Sequence, residues 1–191
     1  TASTALKLSR QFPRGAHIAL MLSNHIEFFI VRFAISCAGL VEISLNGDQK
    51  GSVLKGMLET AKPQGFIVED AYLENLNGCA FDHASTPKIV GAQIAALCAD
   101  RAPWDSRPDV HIEPHDTCRI LFTSGTTGVS KGVVLSHAYE VFVGHRWGGV
   151  LELTPDDRFF YTTRLFHADA QGLVSAFLHR GASTVIVEKF S

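Results

Sequence analysis

Thr123, Ser124, Gly125, Thr126, Thr127 and Gly128 stand in one run, followed after Val129 by Ser130 and Lys131. Hydroxyls rotate to suit a guest, and a lysine ammonium is a compact positive charge. Glycines let backbone N–H groups come close, because no Cβ intervenes. Successive N–H groups in a turn form a concave anion site. The chemistry such a set can do is to hold a polyphosphate. The flanks, residues 118–122 and 133–135, are apolar and read as strands, so the loop joins strand to strand.

The nucleotide P-loop requires Gly, four residues, Gly-Lys, then Ser or Thr opening a helix. Counted from Gly125, Ser130 occupies the second glycine position, Gly132 follows Lys131, and Val133 and Val134 come next. A β-branched pair continues as strand rather than helix. Sequence and context therefore both argue against a P-loop phosphohydrolase.

The order Thr-Ser-Gly-Thr-Thr-Gly-x-x-Lys-Gly-Val, residues 123–133, resembles the phosphate loop of the adenylate-forming enzymes. These include acyl-CoA synthetases, luciferases and the adenylation domains of peptide synthetases. Ser130 stands where that family usually has proline, which restores an N–H and frees φ. The resemblance implies that Thr123, Ser124, Gly125, Thr126, Thr127, Gly128 and Lys131 bind the β- and γ-phosphates of ATP. A second stretch, Ile18, Ala19, Leu20, Met21 and Leu22 with Asn24, Glu27 and Phe28, is similar to the opening strand and helix of the same family.

Leu165, Phe166 and His167 follow the phosphate loop at the spacing of that family's acyl and adenylate pocket. Alone, a histidine after Leu-Phe reads as a core residue; by resemblance His167 sits at the reacting carboxylate. Arg164 replaces a usual proline; it reads as a surface residue or as one that faces an anionic group, the surface reading being preferred. His167, Asp169 and Gln171, with the run 187–189, look closest to the carnitine or crotonobetaine CoA ligase branch.

Several elements must position these residues. Residues 17–22 form a strand. Asn24 is an N-cap with Glu27 at the third helical position, and Ile26, Phe29, Ile30, Phe33, Ala34 and Cys37 follow at helical spacing up to Gly39. Residues 40–45 form a second strand, 46–48 a turn, and Val53, Leu54, Met57, Leu58 and Ala61 a second helix that Pro63 stops. Strands at 65–69 and 88–90 and a helix at 93–99 continue the alternation. Ser136 caps a helix to about residue 151, and strands at 158–163 and 184–187 flank a helix at 172–180. Alternating strand and helix predicts an α/β fold of mostly parallel sheets flanked by helices. The resemblance makes it the N-terminal part of the large adenylate-forming domain, with a strand-loop-strand phosphate loop. The expected division is 1–100 as a first α/β subdomain, 101–116 as a connector carrying Pro103, Pro108 and Pro114, and 117–191 as the start of a second. His111 and His115 lie in the connector, and Pro114 breaks the helix that would align them on a metal, so no metal site is expected.

The 191 residues are 46% hydrophobic and 19% charged with net charge −2, which fits a globular chain with a sizeable core and gives no footprint for nucleic acid or anionic membrane. Cys37, Cys79, Cys98 and Cys118 lack paired spacing and read as buried or reduced thiols of a cytoplasmic protein. The longest apolar run, 28–41, contains Arg32 and is too short to span a bilayer.

The resemblance implies a ligase that uses ATP with Mg2+, a carboxylic acid and coenzyme A as in fatty acid activation. The family's later motifs, a Tyr-Gly-x-Thr-Glu segment, a Tyr-Arg-Thr-Gly-Asp segment, a hinge and a C-terminal lysine, are absent, and Thr1 is not methionine. The expectation is a fragment that is inactive alone, binds ATP weakly and tends to self-associate into a homo-oligomer through open edges. The alternative is a nucleotide-binding or regulatory module that has lost adenylation chemistry.

Overall fold

The computed structural model describes residues 1–123 and 130–188. Its centre is β1 (His17–Met21), paired in parallel with β2 (Val41–Ser44) on one side and β3 (Gly65–Val68) on the other. A strand buried on both faces is apolar along its length rather than alternating, and Ile18, Ala19, Leu20 and Met21 are all fully buried. Successive side chains still point to opposite faces. Ile18 and Leu20 join a cluster with α1 (Ala2–Gln11), α2 (Ile26–Cys37) and α5 (Ala92–Ala99). Ala19 and Met21 join a second cluster with α3 (Gly51–Ala61) and α4 (Leu73–Asn77). The split follows from chain direction. The crossover from β1 to β2 runs one way and that from β2 to β3 runs back, so right-handed crossovers place α2 and α3 on opposite faces.

The complete sheet has the order β4-β3-β1-β2-β5-β6, with β4 (Lys88–Val90), β5 (Thr117–Thr123) and β6 (Lys131–Ser136). Residues 101–116 thus carry the chain to the far side of β2, where β5 adds in parallel and β6 returns antiparallel. A second sheet begins with β7 (Arg158–Tyr161) and β8 (Ser183–Ile186), a parallel pair joined through α7 (Ala168–His179). Helix α6 (His137–Val150) follows β6 and packs on α7. Ser136 caps α6 as expected, its Oγ accepting from the Tyr139 N–H at 3.2 Å.

Local stops behave as their chemistry requires. Gly39 follows α2 at φ +66°, and a Cβ there would meet the Val110 side chain at 2.7 Å, so the position excludes other residues twice over. The Asp48 N–H bonds the Asn46 side chain at 3.0 Å, which sets the 46–48 turn. The four cysteines are free, and burial pushes the Cys118 thiol up to about 11.

Three details differ from the expectation. Asn24 does not cap α2; the N-cap is His25, without a side-chain cap bond, and Glu27 is the second helical residue. Asn24 is itself buried, its Oδ1 accepting from the Leu165 N–H at 2.9 Å and its Nδ2 donating to the carbonyls of Thr163 at 2.8 Å and Val187 at 3.1 Å. A cap uses one acceptor, whereas these positions satisfy three backbone groups of two distant segments, and the larger set wins. Ile26 opens α2 at 59% exposure rather than joining its core face. Helix α7 starts four residues earlier than the apolar spacing suggested; the added turn buries Ala170 and Gln171 and carries Asp169, an acidic residue favoured near a helix N-terminus.

Asn24→Ala is expected to destabilise the protein by about 1–3 kcal/mol, since it strands buried backbone groups. Its denaturant midpoint should fall at unchanged slope, and a midpoint equal to wild type would mean that water replaces the amide.

Candidate functional site

A cleft of about 890 Å³ opens at the C-terminal ends of β2 and β5. In parallel sheets ligands gather at these ends. One wall is Ser44 and Leu45 with Asn46 and Gln49 of the following turn, backed by Val53 and Met57 of α3. A second wall is Leu121, Phe122 and Thr123 of β5, with Ser130 and then Val133 and Leu135 of β6. Phe166, His167, Ala168 and Asp169 close the third side.

The phosphate-loop expectation meets the structure at its two ends. Thr123 is the last residue of β5, Lys131 is the first of β6, and the two are directly opposed in the antiparallel register. The chain therefore leaves and re-enters the sheet at one cross-strand pair, which is the strand-loop-strand geometry anticipated. Thr123 and Lys131 are exposed. Ser124, Gly125, Thr126, Thr127 and Gly128 lie outside the described residues.

His167, far along the chain, lines the same cleft as Thr123 and Ser130. It is the N-cap of α7 in extended conformation, and its ring lies 4.3 Å from that of Phe166. Its N–H bonds the Arg164 carbonyl at 3.2 Å, which makes 164–167 a tight turn presenting the imidazole. Arg164, read as a surface residue, is half exposed and meets Asp48 at 3.2 Å. His111 in the connector faces Glu113 at 2.5 Å, both exposed.

Sequence reasoning missed what lies behind the cleft. Arg32, Glu42, Arg119 and Glu140 form a buried charge network. The Arg32 guanidinium reaches Glu42 at 3.3 Å and Glu140 at 2.6 Å, and Arg119 reaches the other Glu140 oxygen at 2.5 Å. Burial, and next the like charge of Arg32, holds Arg119 below its ordinary pKa, while the two glutamates act against this. Gln171, wholly buried, accepts from the Arg119 guanidinium and joins Ser44 and Leu165 to the same network. The signal was present as lone charges inside apolar runs: Arg32 within 28–35, Glu42 within 40–45 and Arg119 within 118–122. Charges almost never bury unpaired, so two cations and one anion at core positions called for a further acidic partner.

The model of the AMP-binding enzyme family matches residues 2–191. This chain is a member of that family. Among curated AMP-binding relatives, a 3-[(3aS,4S,7aS)-7a-methyl-1,5-dioxo-octahydro-1H-inden-4-yl]propanoyl:CoA ligase of Rhodococcus jostii is 27% identical, matching 85% of this chain and 36% of its own length. A crotonobetaine/carnitine–CoA ligase of Citrobacter koseri is 26% identical, matching 97% of this chain and 38% of its own. The chain thus spans little more than a third of these relatives. The N-terminal domain of FACL13 from Mycobacterium tuberculosis superposes with TM-score 0.85 at 21% identity, covering 100% of this chain and 48% of that one. ATP-bound MatB from Rhodopseudomonas palustris gives 0.80 at 22% identity, over 100% and 39%. The AMP-binding segment therefore has the N-terminal-domain fold of adenylate-forming enzymes. Among its described residues no helix is long and apolar enough to cross a membrane.

Proposed function

We propose that the full-length protein is an ATP-dependent carboxylate–CoA ligase that forms AMP and pyrophosphate. The observation that carries this reading is the shared cleft: the ends of the Thr/Ser/Gly loop at Thr123 and Ser130 face the same space as His167, in a member of the AMP-binding family whose curated relatives above are CoA ligases.

In the first step a carboxylate oxygen attacks the α-phosphorus of ATP, the bond to the bridging oxygen breaks, and pyrophosphate leaves. In the second, the CoA sulfur attacks the acyl carbon and AMP leaves with the bonding pair. Mg2+ enters on the nucleotide as part of the substrate. Such in-line chemistry depends mainly on positioning and on stabilising the charge that develops on the leaving group. Thr123, Ser124, Thr126 and Thr127 supply hydroxyl donors, Gly125 and Gly128 open the backbone N–H groups, and Lys131 supplies the charge. His167 sits where the activated carboxyl would lie. Val53, Met57 and Phe166 give the cleft an apolar side for the acyl group.

The test is ATP–pyrophosphate exchange by the full-length protein with short, long-chain, aromatic, steroid-derived and carnitine-like acids. Exchange that depends on one acid is the expected result. Folded protein that binds ATP but exchanges with no acid would overturn the ligase reading in favour of a nucleotide-binding module.

A further inference from the structure

Gln171 stands behind the cleft, out of reach of any substrate, at 0% exposure. Its carboxamide touches Ser44, which lines the cleft, and two residues from the segments that form the other walls, Arg119 of β5 and Leu165. Oε1 accepts from the Arg119 guanidinium on β5. Nε2 donates to Ser44 Oγ on β2 at 3.0 Å and to the Leu165 carbonyl at 2.9 Å. The orientation of the amide is dictated by its partners: a guanidinium only donates and a carbonyl only accepts, so the flipped amide would set donor against donor and oxygen against oxygen. Leu165 is in turn held at both backbone polar atoms by side chains, its N–H by Asn24 at 2.9 Å and its carbonyl by Gln171. His167 follows two residues later. The Ser44 hydroxyl donates a hydrogen bond to Glu42, which faces Arg32, so the amide is continuous with the charge network.

We propose that Gln171 is a positioning residue: it fixes the backbone at Leu165, and thereby the placement of His167, relative to the strand that leads into the phosphate loop. An apolar residue of similar volume would fill the same space, so packing alone does not account for a carboxamide here. A buried polar link of this kind costs desolvation and is repaid in a unique geometry rather than in stability. The kinetic consequence rests on the ligase reading; the tether itself does not.

The informative variant is Gln171→Glu in the full-length protein. A carboxylate still accepts from Arg119 but cannot donate to the Leu165 carbonyl. The expected result is a lowered melting temperature, because the new carboxylate faces Glu42 Oε1, which lies 3.5 Å from Nε2, and, at a temperature where the variant is folded, a kcat for acid-dependent exchange lower by about tenfold, as for a small misplacement of a reacting group. The KM for the acid should rise while that for ATP stays within about twofold. Hydrogen exchange at the Leu165 and His167 amides, which are bonded to Asn24 and to the Arg164 carbonyl, should accelerate locally. Wild-type kinetics and wild-type exchange at these amides would overturn the proposal. So would a uniform loss, in which every amide speeds up and activity falls only with the folded fraction. If the wild-type protein shows no pyrophosphate exchange with any acid, the ligase reading fails, and hydrogen exchange alone decides the tether: local acceleration supports it and unchanged amides overturn it. Gln171→Met, which loses Arg119 as well, should show the same local acceleration, and none in either variant rejects the tether.

Discussion

Lys131→Ala in the full-length protein is expected to slow acid-dependent ATP–pyrophosphate exchange by about 10²-fold and to raise the KM for ATP, with the KM for the acid within about twofold. Removing one preordained donor from developing negative charge has effects of this size. The structural ground is the register of the β5/β6 hairpin. Lys131 opens β6 directly opposite Thr123, so the ammonium is anchored at the point where the loop re-enters the sheet. The pairing itself uses backbone groups, and Lys131 is exposed, so alanine should leave the hairpin intact. Lys131→Arg keeps the charge but exchanges a compact ammonium for a planar fork, and partial recovery is expected. Equal loss toward ATP and acid, or a variant that exchanges as fast as wild type, would remove Lys131 from the phosphate site.

Glu140→Ala is expected to cost about 3–5 kcal/mol of folding stability, the usual price of leaving buried charge unpaired. Glu140 bridges two guanidiniums, meeting Arg32 at 2.6 Å and Arg119 at 2.5 Å, with only 14% of its side chain exposed. The contact to Arg119 is an ion contact rather than an aligned hydrogen bond, since that glutamate oxygen has no hydrogen-bond partner. Its loss leaves Glu42 as the remaining carboxylate for two buried cations. Replacing the whole set of Arg32, Glu42, Arg119 and Glu140 by apolar residues of matched volume should cost far less than the single change, because no charge is then left unpaired. Chemical denaturation of both variants checks this. A single-variant loss under about 1 kcal/mol would mean that water reaches the guanidiniums and that the network is not sealed.

Local chemistry made much of this protein legible. The strand, helix and turn order of 17–68 came from apolar periodicity and from Gly39, Pro63 and the 46–48 turn, and Ser136 was a readable cap because its oxygen has one nearby N–H to satisfy. The strand-loop-strand context of the phosphate loop was legible because Val133 and Val134 favour strand over helix. Boundaries were less so: α7 begins at Ala168, and its first turn is held by the burial of Ala170 and of the polar Gln171, which apolar spacing does not signal.

What the chain determined by itself was the α/β class, the family, and the residue types of the loop and of the 165–167 segment, since all of these reside in contiguous stretches. Tertiary structure decided which distant residues share a space. It laid β5 beside β2, brought His167 to the cleft mouth formed by Thr123 and Ser130, and turned Asn24 from a helix cap into a clamp on Leu165. It also joined Arg32, Glu42, Arg119, Glu140 and Gln171, which look like isolated polar interruptions in the sequence. The physical reason is range. Periodicity and capping act over a few residues, whereas pairing a buried charge depends on a partner that only the crossover topology can deliver.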